Sequence, residues 1–526
     1  MQRPEAADEV GADPEQPPEL GGAGLRAFEE PAVLRVLRPF APARRLAALC
    51  RRRLLDRRGF LGRRIRPDLL HAVQLSKLIP FFLIGLFLAL PAAAPAQRAQ
   101  PAQRFPNVLI VTIDTLRADR LSSYGYGRPT TPNLDRLLAQ GVRFTEARTV
   151  EPLTNPSLCS MFTSLHPHEH GATRNGLRLR PDATSAARVL DRRGYRTAAF
   201  VGNWTLRNGI SGLGDHFQTY DEVFSRKRWF GMFKGEATAE DLTDASLAWL
   251  AEHREDHKRP FLLWVHYVEP HAPYRLQEDF AGRLGIRVGK SEIARQDRYD
   301  TEVAFTDHQV GRLLAALERD PSLAANTLIV FAADHGESLG EHSYWGHGRN
   351  LYEPTLRIPL GFIWPGKIRP AVVEAPALNI DVASTLLGLA GLPVPGTFRG
   401  YDWTPVLTRG AEPPRDRVMW FQAHKGAVLS AQEAKSARRK GLLEVAVLAG
   451  GRKEIFRIGE KRRWMFDLLK DPTEIRNLGV RAASVSADLR SWMASVTRGL
   501  TASDRVLATP IDAESAAKLR ALGYAE

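Results

Sequence analysis

The sequence is poor in cysteine. Only Cys50 and Cys159 occur among its 526 residues. Of the two, only Cys159 follows the one extended apolar run, so the main body cannot close a disulfide within itself. Also missing is any basic stretch interleaved with aromatics that would track a nucleic-acid backbone, so nucleic acid is not an expected partner. The net charge of +14 does not restore that reading. Residues 1–96 carry 15 Lys and Arg against 10 Asp and Glu, and the remaining +9 is spread thinly along the chain. A mildly basic surface of this kind suits anionic substrates or membrane headgroups. No internal repeat recurs. What is present, 44% hydrophobic and 25% charged residues, describes a globular protein with a sizeable core. The length allows two or three domains of about 100–200 residues each.

Long apolar segments are equally scarce. The one that stands out, LIPFFLIGLFLAL at 78–90, is preceded by Lys77 and followed by PAAAPAQ. A basic start, a short apolar stretch and small-x-small cleavage sites read as an export signal. With residues 91–96 added, the segment approaches the ~20 residues of a membrane span, so an uncleaved anchor is the alternative. Residues 1–72 are Pro/Glu/Gly-rich and then Arg-rich, and read as an extension ahead of the signal. A start at Val73 would give a well-formed signal peptide; a cytoplasmic tail on an anchor would use the Arg run as a positive-inside flank. Either way, the residues after about 97 are expected outside the cytoplasm, periplasmic, extracellular or held at the membrane through 78–96.

Beyond a polar linker, NVLIVTI at 107–113 and TLIVFAA at 327–333 are β-branched apolar runs of strand length, ending in Asp114 and Asp334. Between them helical patterns (132–140, 239–253, 298–317) alternate with strand-like runs (197–201, 260–267). This alternation predicts an α/β fold, a large mixed-sheet sandwich with helices on both faces. Its chemistry is expected at the carboxyl ends of the strands, where Asp114, Asp334 and the pair His266 and His271 fall. From 411 the texture changes to short runs flanking Gly450-Gly451, which predicts a small C-terminal antiparallel α+β subdomain. The expected division is 1–72 extension, 73–96 signal or anchor, 105–410 catalytic domain, 411–500 subdomain and 501–526 tail.

Three clusters carry candidate chemistry. In Thr154-Asn155-Pro156-Ser157, Pro156 suits a helix start, with 157–165 continuing helically, which puts the Thr154 hydroxyl at the N-cap, at the positive end of the helix dipole. Capping alone would also explain it. Asp334-His335-Gly336-Glu337, with Glu341-His342 and Gly346-His347-Gly348, concentrates His and acidic residues on a Gly-punctuated loop, as a divalent-metal site requires. His266 and His271 leave a buried strand into a Pro-rich turn, where histidines serve either a substrate or a carbonyl.

In its motifs the chain resembles the sulfatase family of the alkaline-phosphatase superfamily. The resemblance is carried by Asn107 to Asp119, by Thr131-Pro132-Asn133-Leu134-Asp135-Arg136-Leu137 with Gly141-Val142-Arg143-Phe144, and by Pro167 with His170-Gly171. Asp334-His335-Gly336-Glu337, Gly346-His347-Gly348, Leu351-Tyr352-Glu353, Arg357-Ile358-Pro359, Phe466-Asp467-Leu468 and Asp471-Pro472-Thr473-Glu474 continue it in order. The resemblance implies one or two divalent cations at the strand ends, with Asp114, Asp334 and His335 as ligands. It implies Thr154 as nucleophile and further ligand, His271 and His347 as catalytic groups, and Glu353 and Arg357 as structural. Asn175, His266 and His342 are placed at the substrate. A mixed N/O donor set favours Zn²⁺ or Mn²⁺, with Ca²⁺ or Mg²⁺ admitted.

Departures from the family pattern shape the functional expectation. Sulfatases oxidise a Cys or Ser to formylglycine; here that position is Thr154, which is not a substrate for the modification, and the motif's Arg is Leu158. Thr115 replaces the second Asp of the Asp-Asp pair, and His347 replaces a Lys. Thr as direct nucleophile resembles the phosphoethanolamine transferases and lipoteichoic acid synthases, which are multi-span membrane proteins, unlike this chain. The expected activity is hydrolysis or transfer on a phosphate ester of a glycan, lipid headgroup or small molecule. A sulfuric ester hydrolase working without formylglycine, and a non-catalytic binder of a glycan or headgroup, are the alternatives.

Overall fold

A computed structural model describes residues 105–224, 227–228, 233–234, 237–253, 259–289, 292–428, 441–479, 485–503, 516–517 and 520. The expected extension and apolar segment at 1–96 lie outside the described residues, as does most of the tail. Among the described residues no helix is long and apolar enough to cross a membrane.

The main sheet has eight strands. In chain order they are β1 (Asn107–Ile113), β2 (Val142–Phe144), β3 (Arg196–Val201), β4 (Thr219–Glu222), β5 (Phe261–Tyr267), β6 (Thr327–Ala333), β7 (Leu360–Ile363) and β8 (Ala371–Val373). Across the sheet they run β8-β2-β7-β6-β1-β5-β3-β4. Only β7 is antiparallel to its neighbours, so the sheet is mixed, as expected. The apolar runs of β1 and β5 are buried at nearly every position, as strands covered on both faces must be. Two groups of helices provide the cover. One is α1 (Pro132–Leu138), α4 (Ala239–Glu252) and α5 (Arg295–Glu318); the other is α2 (Thr154–Thr163), α3 (Ala186–Arg192) and α6 (Asp381–Leu389). Helix α4 starts where it does because Thr238 and Asp241 form a reciprocal capping box.

Register positions the chemistry. Ile113 of β1 pairs with Tyr267 of β5 on one side and with Ala333 of β6 on the other, and Thr112 pairs with His266. Asp114, His266 and Asp334 therefore emerge side by side at the carboxyl ends of three central strands.

The C-terminal subdomain is a four-stranded antiparallel sheet of β9 (Met419–His424), β10 (Leu442–Ala449), β11 (Arg452–Arg457) and β12 (Arg462–Asp467), with the expected hairpin turn at Gly450-Gly451. Helix α7 (Ala487–Ser503) packs against β10. A buried ionic cluster ties this sheet to the catalytic body. Lys453 of β11 sits 2.9 Å from Glu353 and 2.8 Å from Glu474, while Arg148, beside β2, reaches Glu353 at 2.8 Å. The two cations hold the Glu353 carboxyl far below its ordinary range, against the burial that raises it. Glu353 thus bridges Arg148 of the large domain and Lys453 of the small sheet. Lys453→Met should leave Glu474 buried without a cation and lower the unfolding free energy by about 3–5 kcal/mol. Urea denaturation reads this directly, and a loss under about 1 kcal/mol would contradict the account.

Candidate active site

The centre is built from strand ends. Asp114, His266 and Asp334 are fully buried, and their donor atoms all lie within 4.8 Å of one another. Asp334 Oδ1 accepts the backbone N–H groups of His335 (2.7 Å) and Thr115 (3.1 Å), which turns Oδ2 toward the centre. Thr115 adopts a left-handed φ of 57° to make that contact, a conformation costly for a β-branched residue, and Tyr299 donates to its carbonyl at 2.8 Å. The position of the missing second Asp thus acts through its backbone. Asp114 Oδ2 accepts Asn203 Nδ2 at 2.5 Å, and Asn203 Oδ1 in turn accepts Thr205 N and Oγ1.

Imidazoles close the centre. His335 Nδ1 faces the Gly336 carbonyl at 2.9 Å. A carbonyl only accepts, so Nδ1 carries the proton and Nε2 the lone pair. That Nε2 is 3.3 Å from Thr154 Oγ1, 3.5 Å from Asp334 Oδ2 and 3.7 Å from Asp114 Oδ1. His266 Nδ1 contacts Thr112 Oγ1 at 2.9 Å, and its Nε2 lies 3.7 Å from Asp114 Oδ2. Burial pushes His266 down to about 4 and lowers His335 as well. Among the described residues, Asp334 Oδ2 and His266 Nε2 have no hydrogen-bond partner. Buried acceptors aimed at one point beside two carboxylates need a positive charge there. Asp114, His266 and Asp334 therefore fit a divalent cation, with the His335 Nε2 lone pair beside the two carboxylates.

Thr154 is fully buried. It is the first residue of α2 with Leu153 at the cap, and α2 spans Thr154–Thr163, so the helix starts at Thr154 itself and ends before the expected 165. The expected N-cap role is corrected accordingly: its hydroxyl turns to His335. Asn175 caps the helix instead, its Oδ1 accepting Asn155 N at 3.1 Å.

Above the centre, the His347 ring lies 4.4 Å from the His335 ring and 5.1 Å from that of His271. His271 Nδ1 is held by the Ala272 carbonyl at 2.7 Å, and His347 Nδ1 by Glu337 Oε1 at 3.0 Å. Both therefore meet a ligand through Nε2. Burial lowers them to about 3 and about 4. They form the floor of a cleft of about 1260 Å³. Its walls carry Arg174, Arg295, Arg298, Arg349, Lys425 and Arg457 against Glu292, Glu337 and Glu460, with Trp345, Tyr352 and Trp464 between them.

The expected site residues thus separate by depth. Asp114, Thr154, Asp334 and His335 converge as read. His266, expected at the substrate, belongs to the carboxylate centre beneath it. Asn175 braces helix α2. His342 is exposed on the cleft wall, stacked 3.8 Å over Tyr352. Sequence reasoning missed Asn203 and Arg117. Asn203 follows β3, and the strand-end rule applied to that strand would have found it. Arg117 donates to Asp119, to Glu341 at 2.7 Å and to the Glu337 carbonyl at 3.0 Å, anchoring the loop after β6.

The mixed sheet with acids at its strand ends is the alkaline-phosphatase-like sulfatase fold. The chain belongs to the sulfatase family. The model described as Sulfatase matches residues 106–392, and the one described as N-sulphoglucosamine sulphohydrolase, C-terminal, matches residues 340–498. An N-acetylglucosamine-6-O-sulfatase of Bacteroides thetaiotaomicron is 26% identical over 505 residues, covering 77% of this chain and 88% of that protein. A solved structure in complex with its substrate D-glucosamine-2-N,6-O-disulfate aligns with a TM-score of 0.59 at 21% identity, covering 76% of this chain and 100% of that one. The phosphonate monoester hydrolase of Agrobacterium radiobacter aligns with a TM-score of 0.57 at 21% identity, covering 76% and 96%.

Two glycines lock the loop after β6. A Cβ on Gly336 would stand 2.1 Å from the Pro354 carbonyl oxygen, and one on Gly348 would stand 2.6 Å from Leu153 Cδ2. Gly336→Ala should therefore destabilise the fold by about 1–3 kcal/mol through forced backbone movement. An unchanged thermal midpoint would show that the loop yields freely.

Proposed function

We propose that the protein is an exported, metal-dependent hydrolase or transferase of phosphoesters that uses Thr154 as an unmodified nucleophile. The observation that carries this reading is the Thr154 hydroxyl, held 3.3 Å from His335 Nε2 at the edge of the carboxylate centre. Asp114, His266, Asp334 and His335 would hold the cation, and this N/O set favours Zn²⁺ or Mn²⁺. When bound, a cation there supplies Lewis acidity that lowers the pKa of a neighbouring hydroxyl and offsets ester charge. Thr154 Oγ1 then attacks phosphorus, releasing its proton to solvent and forming a Thr–O–P bond as the bond to the leaving oxygen breaks. His347, which takes up a proton from solvent at Nε2, gives that proton to the departing oxygen, and His271 faces the non-bridging oxygens. Water or an acceptor hydroxyl next displaces Thr154 from phosphorus. In sulfatases a formylglycine hydrate attacks sulfur; Thr154 has no aldehyde to hydrate, and direct displacement at phosphorus needs none.

The cationic cleft supports a substrate carrying further anionic groups beyond the reacting ester, of which an anionic glycan is the favoured class. A sulfate-ester reading is favoured by the N-acetylglucosamine-6-O-sulfatase relative. The export reading rests on the apolar run at 78–90 and its cleavage sites. N-terminal sequencing of the native protein should find a start near Gln97 or an intact tether.

Intact-mass measurement after exposure to phosphate, phosphonate and sulfate esters should find a phosphoryl adduct on Thr154. Thr154→Ala should lower turnover by about three orders of magnitude or more, while Thr154→Ser keeps measurable activity. Near wild-type turnover by Thr154→Ala with metal still bound would remove the covalent mechanism. His266→Ala and Asp334→Asn should each reduce bound Zn²⁺ or Mn²⁺ after dialysis, measured by elemental analysis. Unchanged stoichiometry in either variant would remove that residue from the ligand set.

A further inference from the structure

The mechanism above leaves one buried acid of the centre unused. Glu337 is fully buried, three residues after Asp334. Its backbone is fixed from two sides: Gly336 is wedged against Pro354, and Arg117 donates to the Glu337 carbonyl at 3.0 Å. The hairpin of Ser338–Leu339 and Trp345–Gly346 pairs Ser338 with Gly346, which sets Glu337 and His347 facing one another at its end. There Glu337 Oε1 lies 3.0 Å from His347 Nδ1. The Tyr344 hydroxyl donates to the His347 carbonyl at 2.8 Å, and Tyr274 stands against the same Glu337 carboxyl.

We infer that Glu337 is the positioning residue of His347, fixing its ring and tautomer so that Nε2 faces the leaving group. The inference rests on the reading of Thr154 as nucleophile and His347 as proton donor, and adds the group that makes His347 directional. A carboxylate accepts only, so the bond commits the His347 Nδ1 proton to Glu337. Without Glu337, either nitrogen could face the cleft, and only one orientation serves the departing oxygen.

A merely structural glutamate and a positioning one separate by leaving-group dependence. The full-length protein is assayed with 4-nitrophenyl phosphate, phenyl phosphate and an alkyl phosphate. Glu337→Met, which fills the volume without an acceptor, should lower kcat less than about tenfold for the 4-nitrophenyl ester and about 10²–10³-fold for the alkyl ester, with KM little changed. Glu337→Gln, which keeps an acceptor oxygen, should restore most of the loss. In parallel, ¹⁵N-histidine spectra, with His347 assigned by its loss in His347→Gln, should show an Nδ1–H tautomer in the wild type and in Glu337→Gln, and its loss in Glu337→Met. An equal slowing of all three esters, or a His347 tautomer indifferent to Glu337→Met, would overturn the inference. Absence of phosphate-ester turnover by the wild type would strike the functional reading instead, because the tautomer signature reports on Glu337 without any turnover.

Discussion

Asp114 and Asp334 end adjacent parallel strands, so the sheet itself brings two carboxylates together inside the protein. There water screens their repulsion poorly. Much of the centre can be read as a response to that constraint. Backbone N–H groups saturate one oxygen of Asp334, the Asn203 amide engages Asp114, and the remaining acceptors gather with that of His266, His335 standing beside the carboxylates. Thr115 accepts a strained backbone to supply one of those N–H groups. The site is thus pre-formed for positive charge, and the nucleophile helix begins beside it.

The central strands were legible because strands buried on both faces must be apolar along their whole length, and because each ends on a titratable residue. The α/β alternation located α4, α5 and their neighbouring strands to within a few residues. Side-chain depth was not legible. His266 and His271 are five positions apart at one strand end, yet one lies under the carboxylates and the other lines the cleft. Register decides this: His266 is still within β5, paired across to Thr112, whereas His271 lies beyond the strand. Helix boundaries failed in the same way at Thr154, where Pro156 marked a helix start but not which turn residue would cap it. Asn203 escaped because an amide following a short strand carries no motif of its own.

Family membership and chemistry part company at one side chain. The fold is that of a sulfatase-family protein, and residue 154 is a threonine. Cys159 offers no substitute. It lies in the buried interior of α2, its thiol donating to Asn155 Oδ1 at 3.2 Å, and burial pushes it well above the ordinary thiol range. The Thr154 hydroxyl is therefore the group that this helix turns toward the centre.

The contact between Gly348 and Leu153 bears on how such a protein can change over time. A side chain at 348 would meet the side chain of Leu153, the cap of α2, so drift in that stretch is felt where the helix begins. The opposite cleft wall comes from the first turns of α5 and from the C-terminal sheet, through Glu292, Arg295, Arg298, Lys425 and Arg457. Substitutions there alter what the cleft admits without touching the frame that holds the acids. New specificities can accumulate on one side of the cleft while the machinery on the other stays inherited.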